Sequence, residues 1–67
     1  MPSRVIRWFR YLPEERELRI GFQSGREYAY QGVPEPLYLA MRRAFSKGEF
    51  FNAHIRNHFP CEPRGAP

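Results

Sequence analysis

REYAYQGVPEP, Arg26 to Pro36, sets two tyrosines two residues apart, then a glycine, then two prolines around a glutamate. Residues two apart on a strand point to the same side of a sheet. Tyr28 and Tyr30 therefore share a face just before the chain changes character. They either pack a core or form an exposed aromatic platform, and the turn that precedes them separates the two.

If Ser24–Gly25 is a two-residue hairpin turn, Gly21 faces Tyr28 and Arg19 faces Tyr30, so the tyrosines join a polar face. If Gln23–Ser24–Gly25 is a three-residue loop with Gly25 left-handed, Ile20 faces Tyr28 and Leu18 faces Tyr30. The other parity of this strand reads Glu27, Ala29, Gln31. Two of those three are poor core residues, because burying an unpaired carboxylate or amide is costly. This favours the tyrosines in the core, with their hydroxyls at the sheet rim or a helix end.

Outward from this stretch, RVIRWFRYL (4–12) is rich in β-branched and aromatic residues and reads as a strand. Val5, Phe9 and Tyr11 lie on one parity and Ile6, Trp8 and Leu12 on the other, which implies a bulge or coverage of both faces. PEERE is a turn, and LRIGF (18–22) is a second strand with Leu18, Ile20 and Phe22 on one side. After Gly32 the period changes. Leu37, Ala40, Met41, Ala44 and Phe45 form a helical stripe. Pro34 or Pro36 suits its first turn. Ser46 and Glu49 make a capping box for a second helix, with Gly48 in its first turn. Phe51, Ile55 and Phe59 would be its buried stripe and Pro60 its end. The order βββαα predicts an α+β domain over residues 3–60: a three-stranded antiparallel meander followed by two short helices packed on one face. The tail 61–67, CEPRGAP, is expected to be disordered.

A chain of 67 residues makes one domain and buries only roughly 60% of its unfolded surface. Its single cysteine forms no internal disulfide, and a lone thiol without CxxC suits a reducing cytoplasm. Six Phe, four Tyr and one Trp must supply most of the burial. The formal charge is +4, carried by ten Arg and one Lys. Arginine forks onto phosphates and stacks on rings, so this balance is compatible with nucleic acid. It is equally what a GC-rich genome gives a bland protein. MPSRVIRWFRY has no apolar run of the signal-peptide kind. No segment approaches the roughly 20 apolar residues of a membrane span. A cytoplasmic protein away from membranes is expected.

Two spaced motifs carry a family resemblance. The first is F-x-x-G-x-x-Y-x-Y-x-x-V-P, in Phe22, Gly25, Tyr28, Tyr30, Val33 and Pro34. The second is A-x-S-x-G-x-[FY]-F-N-x-x-I-R-x-x-[FY], from Ala44 through Ser46, Gly48, Phe50, Phe51, Asn52, Ile55 and Arg56 to Phe59. The pattern resembles the KTSC family over about residues 3–60. That family is named for a C-terminal extension of some lysyl-tRNA synthetases and also occurs as small bacterial and phage proteins. The resemblance implies RNA binding mainly through the synthetase context. FRYL stands where the family has a Tyr-Asp pair, and Phe50 and Phe59 replace the commoner tyrosines. The lost hydroxyls mark those two as packing sites. Tyr28, Tyr30, Pro34, Ser46, Gly48 and Asn52 read as structural motif residues.

Two basic sets are candidates for binding. Arg42, Arg43 and Lys47 lie at the helix junction with Arg56 one helix on, and could grip a phosphate backbone. The plainer account is a solvated helix face with cations near a helix C-terminus. Arg7, Arg10, Arg19 and Trp8 lie on the first two strands, with Trp8 and Arg10 on one parity. They could form a stacking face, or simply be edge arginines that prevent sheet association. Asn52 and Arg56 are four apart. The preferred account has Asn52 tying a loop carbonyl and Arg56 pairing with Glu35 or Glu49, rather than both touching a ligand. His54 and His58 have the helical spacing of two metal ligands, and Cys61 follows. No second ligand pair exists and residues 55–57 read IRN, so no metal is expected. Nothing orients Cys61 as a nucleophile. There is no glycine-rich phosphate loop, paired acid or Ser-His-Asp set, so neither catalysis nor a cofactor is expected. The function expected is a binding module for RNA or single-stranded nucleic acid. The alternatives are a protein-interaction module docking through exposed aromatics and Leu39, and self-association through an open strand edge; the chain is expected as a monomer or weak dimer.

Overall fold

The turn after Phe22 is the three-residue loop. Gly25 is left-handed at φ 94°, and its N–H donates to the Phe22 carbonyl at 2.9 Å. The Phe22 N–H donates to the Arg26 carbonyl at 2.9 Å. The register that follows pairs Leu18 with Tyr30 and Ile20 with Tyr28. Tyr30 is 6% exposed and lies in the core with Leu18 and Ile20, and Tyr28 packs against it.

The computed structural model describes residues 5–64. Ser3 and Arg4 of the expected domain start, and residues 65–67 of the expected tail, lie outside the described residues. Strands β1 (Ile6–Leu12), β2 (Glu17–Phe22) and β3 (Glu27–Tyr30) form the meander. A fourth strand, β4 (Cys61–Arg64), pairs antiparallel with β3, giving the order β1-β2-β3-β4. This corrects the three-stranded expectation and the reading of residues 61–64 as disordered. Pro63 argued against a strand, but an edge strand tolerates proline because one side of its backbone goes unpaired. All four β4 residues are exposed, so no hydrophobic alternation announces it.

β1 carries a bulge. Ile6 pairs with Phe22 and Trp8 with Gly21, leaving Arg7 as the extra residue. A bulge reverses side-chain parity. Ile6 before it, and Phe9 and Tyr11 after it, all pack against the core, while Trp8 lies on the outer face. A Cβ at position 21 would run into the Trp8 indole, so that ring lies across the sheet only because residue 21 is glycine.

Helix α1 (Glu35–Arg43) starts at Pro34 with Pro36 in its first turn. It presents Leu37, Tyr38 and Met41 to the core. Tyr38 stacks on Tyr11 at 4.7 Å, and the Tyr11 hydroxyl donates to the Val33 carbonyl at 2.6 Å. The expected stripe is wrong at Ala40, which is exposed, and at Phe45, which is 86% exposed. The helix stops at Arg43 and Ala44 is extended at ψ 140°, so Phe45 is not on it.

Helix α2 (Lys47–Phe50) begins as read, with Ser46 Oγ accepting from the Glu49 N–H at 3.1 Å. It widens into a π-helical turn (Phe51–Ile55), closed by the Arg56 N–H donating to the Phe51 carbonyl at 2.8 Å. The helix ends there and not at Pro60. Arg56 is extended at ψ 129°, Asn57 is left-handed at φ 66°, and the His58 N–H donates to the Ile55 carbonyl at 3.0 Å. That is a type II turn with asparagine at the position needing positive φ. It returns Phe59 to the core and aims the chain along β3, where the Gln31 N–H donates to the Pro60 carbonyl at 2.8 Å.

The outer face of the sheet holds a paired network around Glu17, which is only 2% exposed. Its carboxylate accepts from Arg19 Nε at 2.5 Å and Gln31 Nε2 at 3.0 Å, with Arg64 at 3.9 Å. Arg64 also meets Glu62 at 3.3 Å. The Arg19 bond, then the Gln31 bond, hold the Glu17 carboxyl below its ordinary range, against the opposing effect of burial. Sequence reading placed Glu17 in the PEERE turn and missed this anchor.

Three outcomes follow from the packing. Tyr30→Ala should lower unfolding stability by about 3 kcal/mol or more; a change near zero would return Tyr30 to a surface role. Gly21→Ala should destabilise by about 1–3 kcal/mol, and most of that loss should vanish when Trp8→Ala is added, in a double-mutant cycle by urea melts. Simple additivity would place the strain elsewhere. The Glu17 carboxyl binds its proton more weakly folded than unfolded, so its stabilisation is complete above its ordinary value of 4.5 and fades as pH falls through the folded value. Glu17→Gln should therefore be less stable than wild type near neutral pH and lose less on acidification; parallel pH curves would remove Glu17 as the linked group.

Candidate functional site

The β2–β3 loop, the π-helical turn and the start of β4 border an open cleft of about 690 Å³ on the helix side of the sheet. Its aromatic lining follows from the register and the type II turn. Phe22, Tyr28 and Tyr30 come from the hairpin, Phe51 from the π-helical turn and Phe59 from beyond it. Tyr30 and Phe51 are nearly covered and form the floor; Phe22, Tyr28 and Phe59 are half-buried walls. Four rings pack edge to face in sequence: Tyr28 on Phe22 at 5.9 Å, Phe22 on Phe51 at 5.5 Å, and Phe51 on Tyr30 at 5.4 Å. The Tyr30 hydroxyl is pushed up to about 12, first by burial and then by neighbouring Cys61, with the Arg56 charge opposing.

The polar groups of the cleft are one-sided in charge. Arg26 and Arg56 line it, with Gln23, Ser24, Asn52 and Asn57, and among the described residues no carboxylate does. The expectation that Arg56 pairs with Glu35 or Glu49 fails, since the ion pairs among the described residues join Arg19 and Arg64 to Glu17 and Glu62. Asn52 ties no loop carbonyl and is exposed. The wide π-helical turn and the extended Arg56 backbone set both side chains at the cleft. π-Helical turns recur at functional positions because they displace side chains from the regular helical path.

The remaining candidates fall elsewhere. Arg42 and Arg43 are exposed on the last turn of α1, beside Leu39, and the Arg42 guanidinium lies 5.9 Å from the Tyr38 ring centre. Lys47 turns back, its Nζ donating to the carbonyls of Ala44 at 2.5 Å and Arg42 at 3.0 Å, so it caps α1. Trp8, Arg10 and Arg19 do share the outer face, with Arg10 opposite Arg19. That face balances Arg10, Arg19 and Arg64 against Glu17, Glu27 and Glu62 by register. Arg7 is the exposed bulge residue. His54 leans on Phe50 at 4.5 Å, and His58 lies beyond the helix, so the two do not have the spacing of helical metal ligands. Among the described residues no His, Cys, Asp and Glu cluster suits a metal ion, and no helix is long and apolar enough to cross a membrane. Sequence reading missed Arg26 and Asn57 as cleft residues. The signal for Asn57 was an asparagine able to adopt positive φ just after an apolar repeat.

Known proteins share this architecture. The chain is 38% identical over 58 residues to a lysine–tRNA ligase of Nostoc punctiforme, and 35% over 57 to one from another Nostoc species. Those matches cover 87% and 85% of this chain, but the chain spans only 10% of each ligase. An uncharacterised protein of Stutzerimonas stutzeri is 36% identical over 52 residues, covering 78% of this chain and 73% of that one. The crystal structure of a KTSC domain protein from Yersinia pestis superposes with a TM-score of 0.87 at 36% identity, covering 97% of this chain and 94% of the other. The model of the KTSC domain matches residues 2–59, and the chain therefore belongs to the KTSC domain family.

Proposed function

We propose that this domain is a non-catalytic module of the cytoplasm that binds RNA or other single-stranded nucleic acid. The observation that carries the reading is the cleft in which Arg26 and Arg56 are the charged groups, with no acid among the described residues paired to either. Guanidinium groups left free at the rim of an aromatic recess suit phosphates beside ring-bearing ligands. The outer face, by contrast, is balanced in charge. Two relatives are enzymes named for tRNA, which favours RNA over DNA as the partner. A protein-docking role is the second reading, favoured by the exposed apolar side chains of Phe45, at 86% exposure, and Leu39.

The deciding measurement is a titration of the domain against fluorescent single-stranded RNA, tRNA and duplex DNA at two salt concentrations. Micromolar or tighter binding that prefers RNA and weakens with salt is expected. Replacing Arg26 and Arg56 by Gln should flatten the log–log salt slope by about 1.4, the amount for two lost single-strand phosphate contacts. Weak, equal binding to all three that vanishes at modest salt would sink the reading. An apolar protein interface would instead barely respond to salt.

A further inference from the structure

We infer that the cleft receives one unstacked nucleobase of single-stranded RNA, with flanking phosphates on Arg26 and Arg56 and the base edge on Asn52 and Asn57. This rests on the nucleic-acid reading above and specifies what that site holds.

Size comes first. A recess of about 690 Å³ is within the range that holds a small ligand. Duplex bases face one another and cannot enter it, whereas an unpaired base can be splayed from its strand. The lining then selects a planar guest. Successive rings in the cleft meet at 69°, 68° and 77°, so the wall alternates ring faces with ring edges. A flat heterocycle finds both a face to stack on and edges to meet. Tyr28 and Phe22, half-buried, are the rings a guest reaches before the floor of Tyr30 and Phe51.

Charge selects the rest of the guest. The arginines occupy exposed positions, while the floor is aromatic and neutral, so the anionic part of a ligand stays outside and its ring goes in. A nucleotide in a strand has that division: a neutral base with a phosphate on either side. An acidic peptide would fill the same recess only by setting a ring or apolar side chain between its carboxylates. The two asparagines complete the set. Each carries a donor and an acceptor on one amide, the pairing that reads a base edge. Neither amide is held by another described residue.

The test uses the full chain with isotope labels and two RNA trinucleotides, one intact and one abasic at its centre. Chemical shifts should move at Phe22, Tyr28, Asn52 and Arg56, while the Trp8 indole on the opposite face stays still. The abasic strand should bind at least about fivefold more weakly, the low end for losing one base–aromatic stack. Asn52→Ala should weaken the intact strand more than the abasic one, and Arg56→Gln should weaken both. Both positions are exposed, so the variants should fold, which unchanged circular dichroism verifies. Equal binding of intact and abasic strands, or shifts centred on Trp8 and Arg10, would overturn the cleft assignment and leave the module reading standing. A mononucleotide binding as tightly as the trinucleotide would overturn RNA as the occupant. No binding of any strand would remove both readings.

Discussion

A left-handed glycine at position 25 sets the phase of the sheet. With three residues in the β2–β3 loop, every side chain of β3 keeps the side its tyrosines require; with two, all of them would trade faces. The core depends on that phase, because Tyr30 contributes one of its large buried rings beside Leu18, Ile20 and Phe51. The cleft depends on it too, because the ring chain from Tyr28 to Tyr30 exists only when Phe22 and the tyrosines share a side. An L-residue with a side chain strains at this φ, so one residue type supports both packing and site.

The parts legible in the sequence are those with a local cause. The loop was decided by Glu27 and Gln31 being poor core residues, and the Ser46 cap by its spacing to Glu49. The mixed parity of β1 announced its bulge. The misses arise where long-range contacts override a local repeat. Phe51, Ile55 and Phe59 are spaced as a helix would space them, yet Phe59 reaches the core by a turn. Phe45 fits a helical stripe that stops two residues short of it. β4 buries no side chain, so it is defined only by backbone pairing, which composition does not encode. Of the cleft, Tyr28, Tyr30 and Asn52 stood out only as structural motif residues and Arg56 as a candidate for binding. Their convergence was not legible, since it needs the π-helical turn and the turn at Asn57.

The two faces of the sheet divide the basic residues by role. On the outer face, arginines neutralise acids, and Glu17 is buried only because Arg19 and Gln31 satisfy it. Lys47 serves the end of α1. Arg26 and Arg56 are left at the cleft, where no carboxylate of the described residues pairs with them. Net charge alone does not identify a binding surface; the distinction is between cations that are satisfied within the fold and those that are not.

β4 and the bulge in β1 have a joint consequence for how the sheet ends. The outer strand on one side contains Pro63, which lacks the N–H that a fifth strand would need in register. The outer strand on the other side is interrupted at Arg7, where the extra residue breaks the ladder and leaves a charge. Interrupted or donor-poor rims are how sheets resist templating one another. Both rims of this sheet are therefore poor templates for a further strand, so neither edge invites stacking of one domain on another through the backbone.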